Sequence, residues 1–347
     1  MKQFKALFLS GMQKLITFIV ALLLTLQLTA QSVDYTIRFN GIGDNREYFS
    51  GYNLSQTILG ARGAFMLGTR LDSVNRMKVG IDYFYEFGGK LGTLKPNLIL
   101  YYEAMKGPWQ FRMGSFNRRE VLDMPLAIVA DTYNYYKPNL DGLYVGYTRQ
   151  HFKMNVFADW VGRQDSVTRE QFMAGSTIDT HWKWFTTNFY WYMYHRAGTL
   201  VWDPDTHIED YMGALLQVGV NLSGVVPLDI ATVKTGILTS LDRNRGSDMT
   251  YANHLSSYSE VVLEKKGFGV KALFNFGDKH VFYIGDPFFN NTTSYLRTSF
   301  YFTPINFKNV KGRFIWSMHL GNGGGHLDNQ QQFYLIYTFN EKIWEKK

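Results

Sequence analysis

The residues best suited to chemistry are thinly spread. The stretch Trp202-Asp-Pro-Asp-Thr-His-Ile-Glu-Asp210 carries four carboxylates, an oxygen set that suits a hard cation such as calcium. It lacks the glycine and final glutamate spacing of an EF-hand loop. It therefore reads as a solvated loop, and no metal is expected. Gly321-Asn-Gly-Gly-Gly325 reads as a flexible hairpin tip, because no helix follows it to hold a phosphate. His280, His319 and His326 lie far apart, and no H-x-x-x-H pair exists. With no cysteine, a disulfide scaffold, a thiolate zinc site, a cysteine nucleophile and an acylated-cysteine anchor are all excluded. No cofactor is expected.

The remaining candidates are charges, and their meaning depends on the elements that carry them. Aromatic residues make up 17% of the chain and charged residues only 19%, with 32 glycines and 8 prolines. Mean hydropathy is −0.20. Beyond the N-terminus no apolar run approaches the 20 or so residues of a membrane helix. Lys2, Lys5 and Lys14 precede an apolar stretch over 15–28, and Ala30-Gln31 offers a cleavage point, so 1–30 reads as a cleaved signal peptide. A retained anchor helix is the alternative, with an apolar core short for a span. Removing the three lysines leaves a mature charge of +4, too mild for a nucleic-acid binder.

From residue 31 onward the pattern repeats every two residues. Met77, Val79, Ile81, Tyr83, Tyr85 and Phe87 alternate with Lys78, Gly80, Asp82, Phe84 and Glu86. Such alternation means strands with one greasy and one wetter face. Sixteen such segments can be marked, and their connections alternate between short and mostly long. That layout predicts an all-β fold: a transmembrane antiparallel β-barrel of about 16 strands (14–18) over 31–347, with an aqueous lumen. Val79, Ile81, Tyr83, Phe268, Val270, Phe314 and Trp316 are expected to face lipid. Aromatics near strand ends (Trp109, Phe111, Trp182, Trp184, Tyr190 to Tyr194, Phe300 to Phe302) suit interfacial girdles. A soluble β-sandwich has no reason to segregate its loops this way.

In signal peptide, strand count and loop pattern, the mature chain resembles Gram-negative outer-membrane channels of the porin kind. Phe111-Arg-Met-Gly-Ser-Phe-Asn-Arg-Arg119 looks like the porin strand that precedes a loop folded into the lumen. One departure is the C-terminus, Phe339-Asn-Glu-Lys-Ile-Trp-Glu-Lys-Lys347, where porins commonly end on an aromatic residue. Either Phe339 ends the last strand or Trp344 extends it. The resemblance implies a cell outer-membrane location and passive diffusion of small polar or anionic solutes. It also implies contact with the lipid bilayer and lipopolysaccharide, and a homo-trimer.

The longest connection, 117–141, is the third outer loop in this layout. Met124, Leu126, Ala127, Ile128 and Val129 surround Pro125, and Tyr133, Tyr135 and Tyr136 follow, a composition suited to burial. The loop is expected to fold inward, so that Arg112, Arg118 and Arg119 face Asp123 and Asp131 across a constriction. Arg62, Arg70 and Arg313 are expected to line the pore. Over all strands the inward face carries eleven basic and seven acidic residues, a weak anion bias. A hydrolase would need a Ser and a His on neighbouring strands facing lipid. His319 is the best strand-borne candidate, but it faces the lumen, so the chain is expected not to be an enzyme. The rival reading is a secretion or adhesion scaffold with a narrow or plugged lumen.

Overall fold

In the computed structural model, the described residues are 31–345 apart from 91, 202 and 205. The expected signal peptide lies outside them. Sixteen antiparallel strands close into one barrel, each paired with its sequence neighbours and the last with the first. In chain order they are β1 (Ser32–Glu47), β2 (Gln56–Arg70), β3 (Asn75–Glu86), β4 (Asn97–Lys106), β5 (Trp109–Asn117), β6 (Asn139–Arg149), β7 (Phe152–Gly162) and β8 (Gln171–Trp182). They continue with β9 (Phe185–Arg196), β10 (Glu209–Asn221), β11 (Ile230–Asn244), β12 (Ala252–Lys265), β13 (Phe268–Gly277), β14 (Ser294–Phe307), β15 (Val310–Gly321) and β16 (Asp328–Glu345). Closure leaves no free edge, and every strand backbone finds its partner inside the wall.

The two-residue period places the side chains. On β3, Lys78, Asp82 and Phe84 are buried toward the lumen, while Met77, Val79 and Ile81 are 42–52% exposed on the other face. Phe268, Phe314 and Trp316 are exposed in the same outward sense. A girdle marks the short-turn end: Trp109 packs edge-on against Tyr147, and Phe268 stacks on Phe302 with ring centres 4.0 Å apart. Trp182, Trp184 and Phe185 join it, all more than half exposed. Tyr192 and Tyr194 are not part of a girdle. They share the inward parity of β9 and are buried, so the run around them splits between the two faces.

The pairing of the first and last strands fixes two strand ends. β1 continues to Glu47, because Ile42, Asp44 and Arg46 extend its inward face. β16 runs through Trp344, which pairs with Val33, so the last strand passes beyond Phe339. By the usual layout of such barrels, short turns face the periplasm and long loops the exterior.

Candidate functional site

The third outer loop (118–138) begins with a single 3-10 turn over Arg118–Glu120 and ends in the short helix α1 (Asp131–Tyr136). Its apolar run is buried: Ala127 and Ile128 are fully enclosed, and Val121, Leu122 and Val129 nearly so. They share one cluster with inward wall residues such as Tyr192, Leu215, Leu238 and Tyr258. The seventh outer loop (278–293), which contains the short helix α2 (Pro287–Asn291), joins the same cluster through Phe282, Ile284, Phe288 and Phe289. The two loops interlock through backbone hydrogen bonds, Ala130 N to the Ile284 carbonyl at 2.8 Å and Asp286 N to the Leu126 carbonyl at 3.0 Å. Together they fill much of the outer half of the lumen.

Open space remains below them. A cavity of about 780 Å³ is roofed by Leu122 to Leu126 and reaches the short-turn end of the wall at Ile230, Glu264, Tyr301 and Arg313. Its cations include Lys234, Lys271, Arg297 and Arg313, and its carboxylates Asp123, Asp131, Glu260 and Glu264.

The residues expected at a constriction mostly hold this loop in place. Arg112 donates to Glu103 and Glu120, both at 2.7 Å, and Glu120 also pairs with Arg38. Burial pushes the Glu120 carboxyl up, but the two arginines outweigh it and hold the group below its usual range. Arg118 is buried against Asp159 and donates to the carbonyls of Lys137 and Asn139. Arg62 pairs with Asp82 and donates to the Tyr135 carbonyl. Arg119 pairs with Asp131 at 2.9 Å, and Asp131 also accepts from Gln332. Burial raises the Asp131 carboxyl, yet Arg119 and Arg297 bring it below its usual range. Asp123 is exposed on the cavity roof. Arg313 lines the cavity, 3.7 Å from Glu264 and over the Tyr301 ring. Arg70 is exposed at the end of β2, opposite Arg76. Arg112, Arg118 and Asp131 therefore do not stand as free charges across an opening.

A second charged group was not anticipated. At the outer ends of β9 and β10, His195 and Asp210 are register partners, with Nδ1 and Oδ1 2.6 Å apart. Their sequence neighbours Tyr194 and Tyr211 both pack on Tyr283 of the seventh loop, inside the barrel. By alternation His195 and Asp210 face outward. Arg243 donates two hydrogen bonds to Asp210 Oδ2, at 3.0 and 2.5 Å, and Arg245 a third at 3.1 Å. The His195 ring leans on Phe172, which stacks on Trp160. Its Nε2 has no hydrogen-bond partner among the described residues. The carboxylate-rich stretch that ends at Asp210 contributes that residue here and Glu209 to a pair with Arg196. No carboxylate or histidine cluster that could hold a metal occurs among the described residues. His319 is buried in the lumen against the Tyr295 hydroxyl, 2.7 Å away.

Three solved structures show the same fold at low identity. The outer-membrane protein OpdK of Pseudomonas aeruginosa matches with a TM-score of 0.51 and 8% identity, over 90% of this chain and 100% of that one. A loop L8 deletion mutant of OmpT from Vibrio cholerae gives 0.55 and 9%, over 89% and 99%. An anion-selective porin from Comamonas acidovorans gives 0.55 and 8%, again over 89% and 99%. The fold is thus that of an outer-membrane porin-type barrel, as the sequence resemblance implies. No curated protein sequence matches the chain. A family profile described as lipid A 3'-O-deacylase-type matches residues 27–346. That match overturns the expectation that the chain is not an enzyme, because the family is named for a deacylation.

Proposed function

The chain belongs to the lipid A 3'-O-deacylase-type family, and on that membership we propose that it hydrolyses an acyl ester of lipid A at the outward His195–Asp210 pair. The observation that carries this reading is the position of the pair. It lies within two residues of the outer strand ends on the lipid side of the wall. A lipopolysaccharide ester in the outer leaflet would approach the wall from this side.

The chemistry follows from the hydrogen bonds. Asp210 takes the Nδ1 proton of His195 as an acceptor and fixes the tautomer, leaving the Nε2 lone pair outward as a general base. No serine or threonine hydroxyl is bonded to that ring among the described residues, so water is the nucleophile. Nε2 takes a proton as the water oxygen bonds to the acyl carbon. The carbon–oxygen bond to the sugar then breaks, and the leaving oxygen takes the proton back. The products are a fatty acid and a sugar hydroxyl. Arg245, about one-third exposed, places positive charge where the oxyanion and the lipid phosphates would lie.

The test is purified barrel mixed with lipid A in detergent, read by mass spectrometry for loss of one acyl chain. His195→Ala should abolish the loss while the barrel stays folded. No mass change with the wild type, or full activity in His195→Ala, would refute the reading.

A second reading, passive diffusion of small polar or anionic solutes, draws support from the cavity and its cations Lys234, Lys271, Arg297 and Arg313. It requires a path past the third and seventh loops. Conductance in a planar bilayer measures it directly.

A further inference from the structure

The inner wall is more polar than a permanent core needs. Asn155, Asn188, Gln217 and Asn275 face inward, are at most 8% exposed, and each keeps a side-chain atom without a protein partner among the described residues. An orphaned buried polar group costs about 1–3 kcal/mol. A wall meant to be sealed for good would replace such amides by apolar residues. A wall that meets water in another state would keep them.

Beside its apolar contacts and the bonds between Asp278 and Leu255, the seventh loop is tied to this wall by a directional hydrogen-bond chain. Val281 N–H donates to Ser240 Oγ at 3.2 Å, and the Ser240 hydroxyl donates to His280 Nδ1 at 3.0 Å. His280 Nε2–H donates to Ser256 Oγ at 2.7 Å, and the Ser256 hydroxyl donates to Asn275 Oδ1 at 2.7 Å. Each donor meets one acceptor, and the chain closes only with neutral His280. A second proton, on Nδ1, would leave the Ser240 hydroxyl without its acceptor in a fully buried place. The charged and titratable groups around the ring are Asp278 and Lys279 on its own segment and the Asp242–His254 pair from β11 and β12, bonded at 2.9 Å. Burial, and then His254, push His280 down from 6.5 to about 4.

We propose that the lumen is a closed conduit and that the seventh loop is its gate, latched by the Ser240–His280–Ser256 chain and released by protonation of His280. This rests on the diffusion reading and adds its regulation. The sign follows from the lowered value. Above pH 6.5 the latch holds at full strength, and it weakens as pH falls from 6.5 toward about 4. Each unit in that window moves the balance toward the open form by about tenfold. Below about 4 the gain stops.

The test is bilayer conductance of the full-length mature barrel at pH 7.5 and pH 4.5. It uses the wild type, His280→Gln, a deletion of 281–287, and the pair Ala130→Cys with Ile284→Cys in this cysteine-free chain. Gel mobility before and after boiling verifies that each is a folded barrel. The expected results are a wild type closed at pH 7.5 and conducting at pH 4.5, and a deletion conducting at both. His280→Gln should be closed at both, since an amide bridges the serines without taking a proton. The oxidised cysteine pair should be closed at both and regain acid opening on reduction. A deletion silent at both values would overturn the conduit itself. A conducting deletion with acid opening retained in His280→Gln, or with no acid opening in the wild type, would overturn the latch alone.

Discussion

His195 and Asp210 stand opposite each other across the β9–β10 pair, their side chains bonded on the membrane side of a wall whose other side is filled by tyrosines. A charged pair has little reason to face lipid unless a polar headgroup reaches it. Three arginine hydrogen bonds to Asp210 hold its carboxylate in place. Removing the base should lower deacylation by about 10²–10⁴-fold, the usual worth of a general base. Asp210→Asn should lower it as well, by freeing the imidazole to turn. Initial rates on lipid A, with boiled and unboiled gel mobility as the folding control, measure both.

Arg118 and Asp159 make the most deeply buried ion pair of the lumen, each about 2% exposed. Arg118→Met should leave Asp159 unpaired and cost about 3–5 kcal/mol. Because Arg118 also holds the carbonyls of Lys137 and Asn139, the loss should appear first as release of the third loop. Limited proteolysis within 118–138 should become fast in this variant. An unchanged cleavage rate would show that the apolar run alone keeps the loop inside.

The outward face can be probed at Ile81, half exposed and flanked on β3 by Val79. An arginine there should cost about 2–4 kcal/mol if the position lies near the bilayer midplane. The same substitution at Gly80, on the lumen side, would fail for another reason, since a Cβ there meets the Phe65 carbonyl oxygen at 2.2 Å. Denaturant unfolding from lipid vesicles separates the two: Ile81→Arg should recover in detergent, Gly80→Arg should not.

The barrel was legible because alternation persists over strands of nine to eighteen residues and one buried face fixes the register. The third loop betrayed itself by the apolar residues 124–129. The seventh carries the same kind of signal, in Phe282, Ile284, Phe288 and Phe289, but Gly285, Asp286 and Pro287 break it into two short pieces that read as an ordinary connection. Which charges pair with which was not legible. Arg112 and Arg118 looked like free pore charges, yet their partners Glu103, Glu120 and Asp159 are set by register and loop path. His195 and Asp210 escaped notice because a twelve-residue connection over 197–208 hides which residues of the two strands meet.

The interlock of the two loops turns on one small residue. At Gly285 a Cβ would stand 2.0 Å from the Ala127 carbonyl oxygen and 2.6 Å from the Phe282 Cβ. Neither neighbour can yield easily, since one is backbone and the other lies at the base of a buried ring. Gly285→Ala should therefore push the seventh loop off the third and weaken the bonds from Ala130 N and Asp286 N on either side. Backbone amide exchange at Ala130 and Asp286 should speed up, while exchange in β3 and β15 stays slow. If the gate reading is right, the same variant should show conductance at pH 7.5, where the wild type is closed. Faster exchange without conductance would mean that the loops can part without opening a path, and would place the seal lower, among the charges of the cavity.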